Sequence, residues 1–157
     1  MVYDSAGVLR ADDGSELGRA DALPAPAFGR VIVGSESYAI EKASALGWHF
    51  QLLGGDGGLV YDFKPGLRKG GTVRSAGGEE AAEILKALIG THWTITPAGS
   101  APIEVTRREG HFGPILSDDG HLIAPDLDLS GPNLAGVGQG PTPLLVFCCW
   151  LIAEWDS

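Results

Sequence analysis

A disulfide framework, a surplus of positive charge and an apolar run of membrane-spanning length are all missing from this 157-residue chain. Its only two cysteines, Cys148 and Cys149, are adjacent, so they cannot staple distant parts of a small secreted fold, and reduced thiols in a core fit better. Lys plus Arg number 11 against 20 for Asp plus Glu, a net charge of -9. General nucleic-acid affinity is thereby excluded, because phosphate binding requires surplus cations, and any anion site must be local. The opening residues, MVYDSAGVLRADDG, show no basic segment followed by an apolar one, so no export signal is expected and the cytoplasm is the expected compartment. No G-x-S-x-G elbow occurs, and no G-K-[ST] follows a glycine-rich loop, which removes two common signatures of hydrolases and nucleotide-binding proteins. Residues 134–140, LAGVGQG, approach a dinucleotide fingerprint, but Pro141 stands at its last glycine and no ribose-binding acid follows. No cofactor is expected.

Glycine and proline are abundant instead, at 24 and 10, and they punctuate the chain every few residues. Between them lie short runs rich in β-branched and aromatic residues at 30–33, 38–41, 48–53, 59–63, 93–96, 103–107, 112–116 and 121–124. Many short strands at such spacing predict a sandwich or a barrel. Two segments depart from the pattern. In 79–89, EEAAEILKALI, acids lead, Lys86 comes late and Gly90 follows, which predicts a surface helix lying on the sheet.

The other departure is 142–155, TPLLVFCCWLIAEW, with Thr142 as N-cap and Pro143 in the first helical position. From Leu144 to Ala153 the run covers every direction of a helical wheel with apolar groups. Such a helix belongs in a core or a membrane. A ten-residue run rises only ~15 Å, whereas a span needs ~20 residues, so burial is expected and no transmembrane segment is. A layered fold covers one face of a helix, but a closed β-barrel covers all of them. The sequence therefore predicts one mainly-β domain over 1–157: a closed barrel, about 11 strands being wide enough to hold a helix, around a buried C-terminal helix, with 130–141 forming its Gly/Pro-rich lead-in.

Repetition supports this reading. Leu53-Gly-Gly-Asp56-Gly57-Gly-Leu59-Val60 and Leu116-Ser-Asp-Asp119-Gly120-His-Leu122-Ile123 share L-x-x-D-G-x-L-[VI], and the step from Asp56 to Asp119 is a half-chain period. Leu9-Arg-Ala-Asp-Asp13-Gly14 is a weaker copy. Each Asp-Gly pair suits a tight hairpin turn. Together with the Trp93–Ile95 run, the following Ile103–Arg108 run and the apolar terminal helix, these hairpins resemble the tubby C-terminal-like domains. That family includes phospholipid scramblases and plant LURP-one-related proteins, and the resemblance covers roughly residues 28–157. It implies a barrel of about twelve strands around a C-terminal helix, in a family whose roles include phosphoinositide binding, membrane tethering and lipid movement. No functional residue of the family matches a position here, so none is carried over.

Residues 63–78, FKPGLRKGGTVRSAGG, hold Lys64, Arg68, Lys69 and Arg74 with no acid, beside glycines whose N–H groups can approach a phosphate. Two readings compete for this segment: a site for an anionic headgroup, phosphate or protein partner, and a solvated hairpin that protects a sheet edge. An alternative from another class is a metal-assisted hydrolase using His111, Asp118, Asp119 and His121 around one predicted hairpin, although these lack the usual metal-ligand spacing. Cys148 and Cys149 are excluded as nucleophiles by their apolar helix.

Overall fold

The computed structural model describes residues 2–3, 6–11, 13–23, 28–89, 92–99, 102–105, 122–123 and 142–155. Among these residues, twelve strands precede one helix: β1 (Val2–Tyr3), β2 (Val8–Arg10), β3 (Glu16–Ala22), β4 (Gly29–Val33), β5 (Glu36–Lys42), β6 (Phe50–Leu53), β7 (Leu59–Pro65), β8 (Gly70–Ser75), β9 (Glu80–Lys86), β10 (Trp93–Pro97), β11 (Ile103–Val105), β12 (Leu122–Ile123) and α1 (Thr142–Trp155). Ten strands, β2 to β11, pair with their chain neighbours in one antiparallel sheet, and the short β1 and β12 extend its first edge.

Alternation along the strands explains the sheet's inner face. Tyr38 and Ile40 of β5, Tyr61 and Phe63 of β7, and Trp93 and Ile95 of β10 are buried while their neighbours are more exposed. All of these pack in one cluster with α1, whose residues from Leu144 to Ile152 are each at most 5% exposed. Helix side chains reach far-separated strands. Val146 fills the bare face of Gly18 in β3, Trp150 meets Gly29 of β4 and Phe50 of β6, and Trp155 meets Phe63 of β7 and Trp93 of β10. Laid flat, β3 and β10 stand about 34 Å apart at ~4.8 Å per strand. A helix is only ~10–12 Å across, so the sheet must curl around it. The predicted enclosure of α1 follows from this curl.

Two expectations are corrected. The barrel is not closed: β11 and β12 are the sheet's edges, and no ladder joins them among the described residues. Nor is 79–89 a surface helix, because Glu80–Lys86 is β9, paired with both β8 and β10. Its residues favour a helix locally, yet Ala82 and Ile84 alternate into the core, and two neighbouring ladders outweigh that preference. The strands expected at 30–33, 38–41, 48–53, 59–63 and 93–96 are present with shifted ends; 103–107 and 121–124 are represented by β11 and β12. The strand at 112–116 and the lead-in at 130–141 lie outside the described residues.

The hairpins repeat. Leu9, Val31, Leu52, Val73 and Ile95, one from the first strand of each pair from β2–β3 to β10–β11, are all at most 2% exposed and recur at nearly equal intervals along the chain. Three of the turns are built alike. In 11–15, 54–58 and 75–79 the first N–H donates to the fifth carbonyl, the fourth N–H donates to the first carbonyl, and the fourth residue is a glycine at φ 81 to 86°. A register shift precedes each turn at the same position, between Leu9 and Arg10, Leu52 and Leu53, and Val73 and Arg74. Asp13 and Asp56 accept from the N–H two positions on. Arg10 and Arg74 cap two of the turns by donating to the Gly14 and Gly78 carbonyls.

Candidate functional site

Antiparallel order sends alternate connections to opposite ends of the sheet, and this divides the four predicted anion-site cations. Arg68 and Lys69 lie in the β7–β8 connection, and Lys64 near the end of β7 that leads into it. Arg74 sits at the far end of β8, opposite Asp62 and Glu80 in register, with its guanidinium on the Gly78 carbonyl at 3.2 Å. It serves a turn there, remote from the other three.

Lys86 takes its place beside Arg68 and Lys69. The Lys86 N–H donates to the Lys69 carbonyl at 3.0 Å, and the Arg68 guanidinium donates to the Lys86 carbonyl at 3.5 Å. Glycines make this approach possible. A Cβ on Gly70, whose φ is 125°, would collide with the Ile84 carbonyl, and one on Gly71 with the Lys64 carbonyl. The result is an open cleft of about 370 Å³ lined by Arg68, Lys69, Lys86, Ala87 and Leu88. Lys64 stands on the neighbouring strand outside that lining. Among the described residues no carboxylate pairs with Lys64, Arg68 or Lys69. The Lys86 ammonium lies 5.6 Å from the centre of the Trp93 ring, a cation–π distance.

A second polar group lies on the outer face of β6 and β7. His49 Nε2 donates to Asp62 Oδ1 at 2.6 Å, and Gln51 Nε2 donates to the same oxygen at 3.1 Å. The sequence predicts for His49, beside Trp48 in a strand, a half-buried and hydrogen-bonded position, but nothing in it singles out Asp62 as the partner. Among the described residues no hydroxyl or thiol bonds to His49, so the pair has no nucleophile to activate. The thiols lie far from solvent. Burial holds Cys148 well above the ordinary thiol range and raises Cys149 to about 12, the state of an inert core cysteine.

His111, Asp118, Asp119 and His121 lie outside the described residues, among which no group of three or more His, Cys, Asp or Glu could hold a metal. No described helix is long and apolar enough to cross a membrane. No protein-family model matches the chain, and neither do curated proteins or solved structures.

Proposed function

We propose that the protein is a non-enzymatic binding module that takes an anionic, phosphate-bearing ligand at the cleft of Arg68, Lys69 and Lys86. The supporting observation is that three cationic residues line one open cleft in a chain of net charge -9. A phosphate suits this setting because guanidinium and ammonium donors can satisfy its oxygens while it stays partly hydrated. Ala87 and Leu88 supply an apolar wall beside the charges. The reading is compatible with a tubby C-terminal-like module, a resemblance supported by the apolar terminal helix enclosed in antiparallel sheet. The test is calorimetric titration with inorganic pyrophosphate at low ionic strength. Saturable binding that is lost in Arg68→Glu/Lys69→Glu supports the cleft; binding equal in parent and variant, or none in the parent, refutes it.

A further inference from the structure

All four lysines of the chain, Lys42, Lys64, Lys69 and Lys86, lie at one end of the sheet. Three of them, Lys42, Lys64 and Lys86, close or nearly close β5, β7 and β9 and stand at equal intervals along the chain. Each is followed by an exposed leucine in the next connection: Leu46 at 86% exposure, Leu67 at 110% and Leu88 at 83%, again evenly spaced. Ile89 beside Leu88 is 90% exposed. The opposite end carries Asp13, Glu16, Glu36, Asp56, Glu79 and Glu80, and its Arg10 and Arg74 are turned onto turn carbonyls. The lysine end is not free of acid, since Asp21, paired with Arg19 and Arg30, and Glu41 and Glu154 lie there. Even so, the apolar tips and the lysines share one phase of the hairpin repeat.

We infer that this end docks on an anionic lipid bilayer, with Leu46, Leu67, Leu88 and Ile89 entering the interface and the lysines and Arg68 meeting the headgroup phosphates. The inference rests on the proposed anion cleft and names the surface that presents its ligand. Three neighbouring connections place the leucines in a row about 20 Å long, given two strand spacings between successive connections. These are separate protrusions, which suit a deformable interface better than the packed centre of a protein–protein contact. Lysines with long apolar stems can hold their charge at headgroup level while the stem follows the leucines inward. An anionic leaflet attracts the basic end and repels the acidic one, so it fixes the orientation as well as the affinity.

Co-sedimentation of the full chain with vesicles tests this. Binding is expected to vesicles of mixed phosphatidylserine and phosphatidylcholine and to be absent with phosphatidylcholine alone. Lys64→Gln/Lys69→Gln is expected to lower partitioning by roughly five-fold per charge. Leu46→Asn/Leu67→Asn, at exposed positions outside the cleft lining, is expected to lower it at least about tenfold while leaving pyrophosphate binding intact. A polarity-sensitive dye on Leu67→Cys, with the native thiols buried, should shift to the blue on anionic vesicles. Pyrophosphate binding without vesicle binding overturns the membrane inference and keeps the cleft, leaving a protein surface as its partner. Vesicle binding indifferent to the leucine substitutions overturns insertion, and loss of both kinds of binding removes the cleft with it.

Discussion

The indole of Trp155, in the last turn of α1, lies parallel to that of Trp48, with ring centres 4.8 Å apart and 13° between their planes. Trp155 also meets Phe63 at 5.8 Å and Trp93 at 6.1 Å, so one side chain ties β7, β10 and the approach to β6 to the end of the helix. Trp155→Ala should cost about 3 kcal/mol, at the low end for a tryptophan because the residue is only partly buried. Trp155→Phe should recover part of the loss. Urea unfolding of the three proteins checks this, and an unchanged midpoint in the alanine variant would show that the stack contributes nothing.

Phe147 lies at the centre of α1 with no exposed surface. Its replacement by Ala should lower stability by about 3–5 kcal/mol, a large part of what a domain of this size has. Calorimetry should show a melt broadened or displaced by many degrees.

Gly71 and Gly55 make a paired test of backbone approach. Gly71→Ala drives a methyl into the Lys64 carbonyl and the Phe63 ring, whereas Gly55→Ala meets only the Ser37 carbonyl at 3.9 Å. The first should destabilise by about 1–3 kcal/mol and loosen the Lys64–Lys69 segment. The second should be close to neutral. Equal thermal midpoints in the two variants would contradict the β7–β8 packing.

Tyr61 carries the opposite expectation. Its side chain is buried and its hydroxyl has no hydrogen-bond partner among the described groups, while burial and the nearby Cys148 and Tyr38 raise its ionisation above the usual range. Removing an unsatisfied hydroxyl removes a desolvation cost. Tyr61→Phe should therefore leave stability unchanged or raise it by up to about 1 kcal/mol, measured by urea denaturation.

Alkaline pH should destabilise the fold through the thiols. Burial raises both thiol ionisations in the folded state, Cys149 to about 12, so the folded chain retains protons that the unfolded chain releases above about pH 9. Their stabilising contribution is complete below that pH and declines as pH climbs toward the folded values. Cys148→Ala/Cys149→Ala should flatten this alkaline decline. In the parent protein, maleimide labelling at neutral pH should proceed only at the rate of unfolding.

The helix is legible in the sequence because its unbroken apolar run admits no solvent face, and strands such as 59–63 are legible as β-branched and aromatic runs between glycine and proline. Segment 79–89 misleads because glutamates, alanines and leucines favour a helix wherever neighbouring strands do not decide otherwise, and here β8 and β10 decide. The step from Asp56 to Asp119 reads as a half-chain duplication, yet it matches three successive units of the spacing that separates Leu9, Val31, Leu52, Val73 and Ile95. A closed barrel over-reads the helix's need for cover, which curling alone satisfies. At the candidate site, Arg68 and Lys69 are visible as a basic run. Lys86 is hidden because its partners belong to an earlier hairpin; the even interval shared by Lys42, Lys64 and Lys86 is the available signal.

The helix follows, in chain order, nearly everything that packs on it. During translation the ribosome releases Val31, Leu52, Phe63 and Ile84 long before the residues that shield them from water are synthesised. Cooperative folding must await the arrival of 144–152, so until then the nascent chain carries uncovered sticky surface. A stop codon or ribosomal stall ahead of that stretch would yield a product fit for chaperones and proteases, with no functional remnant.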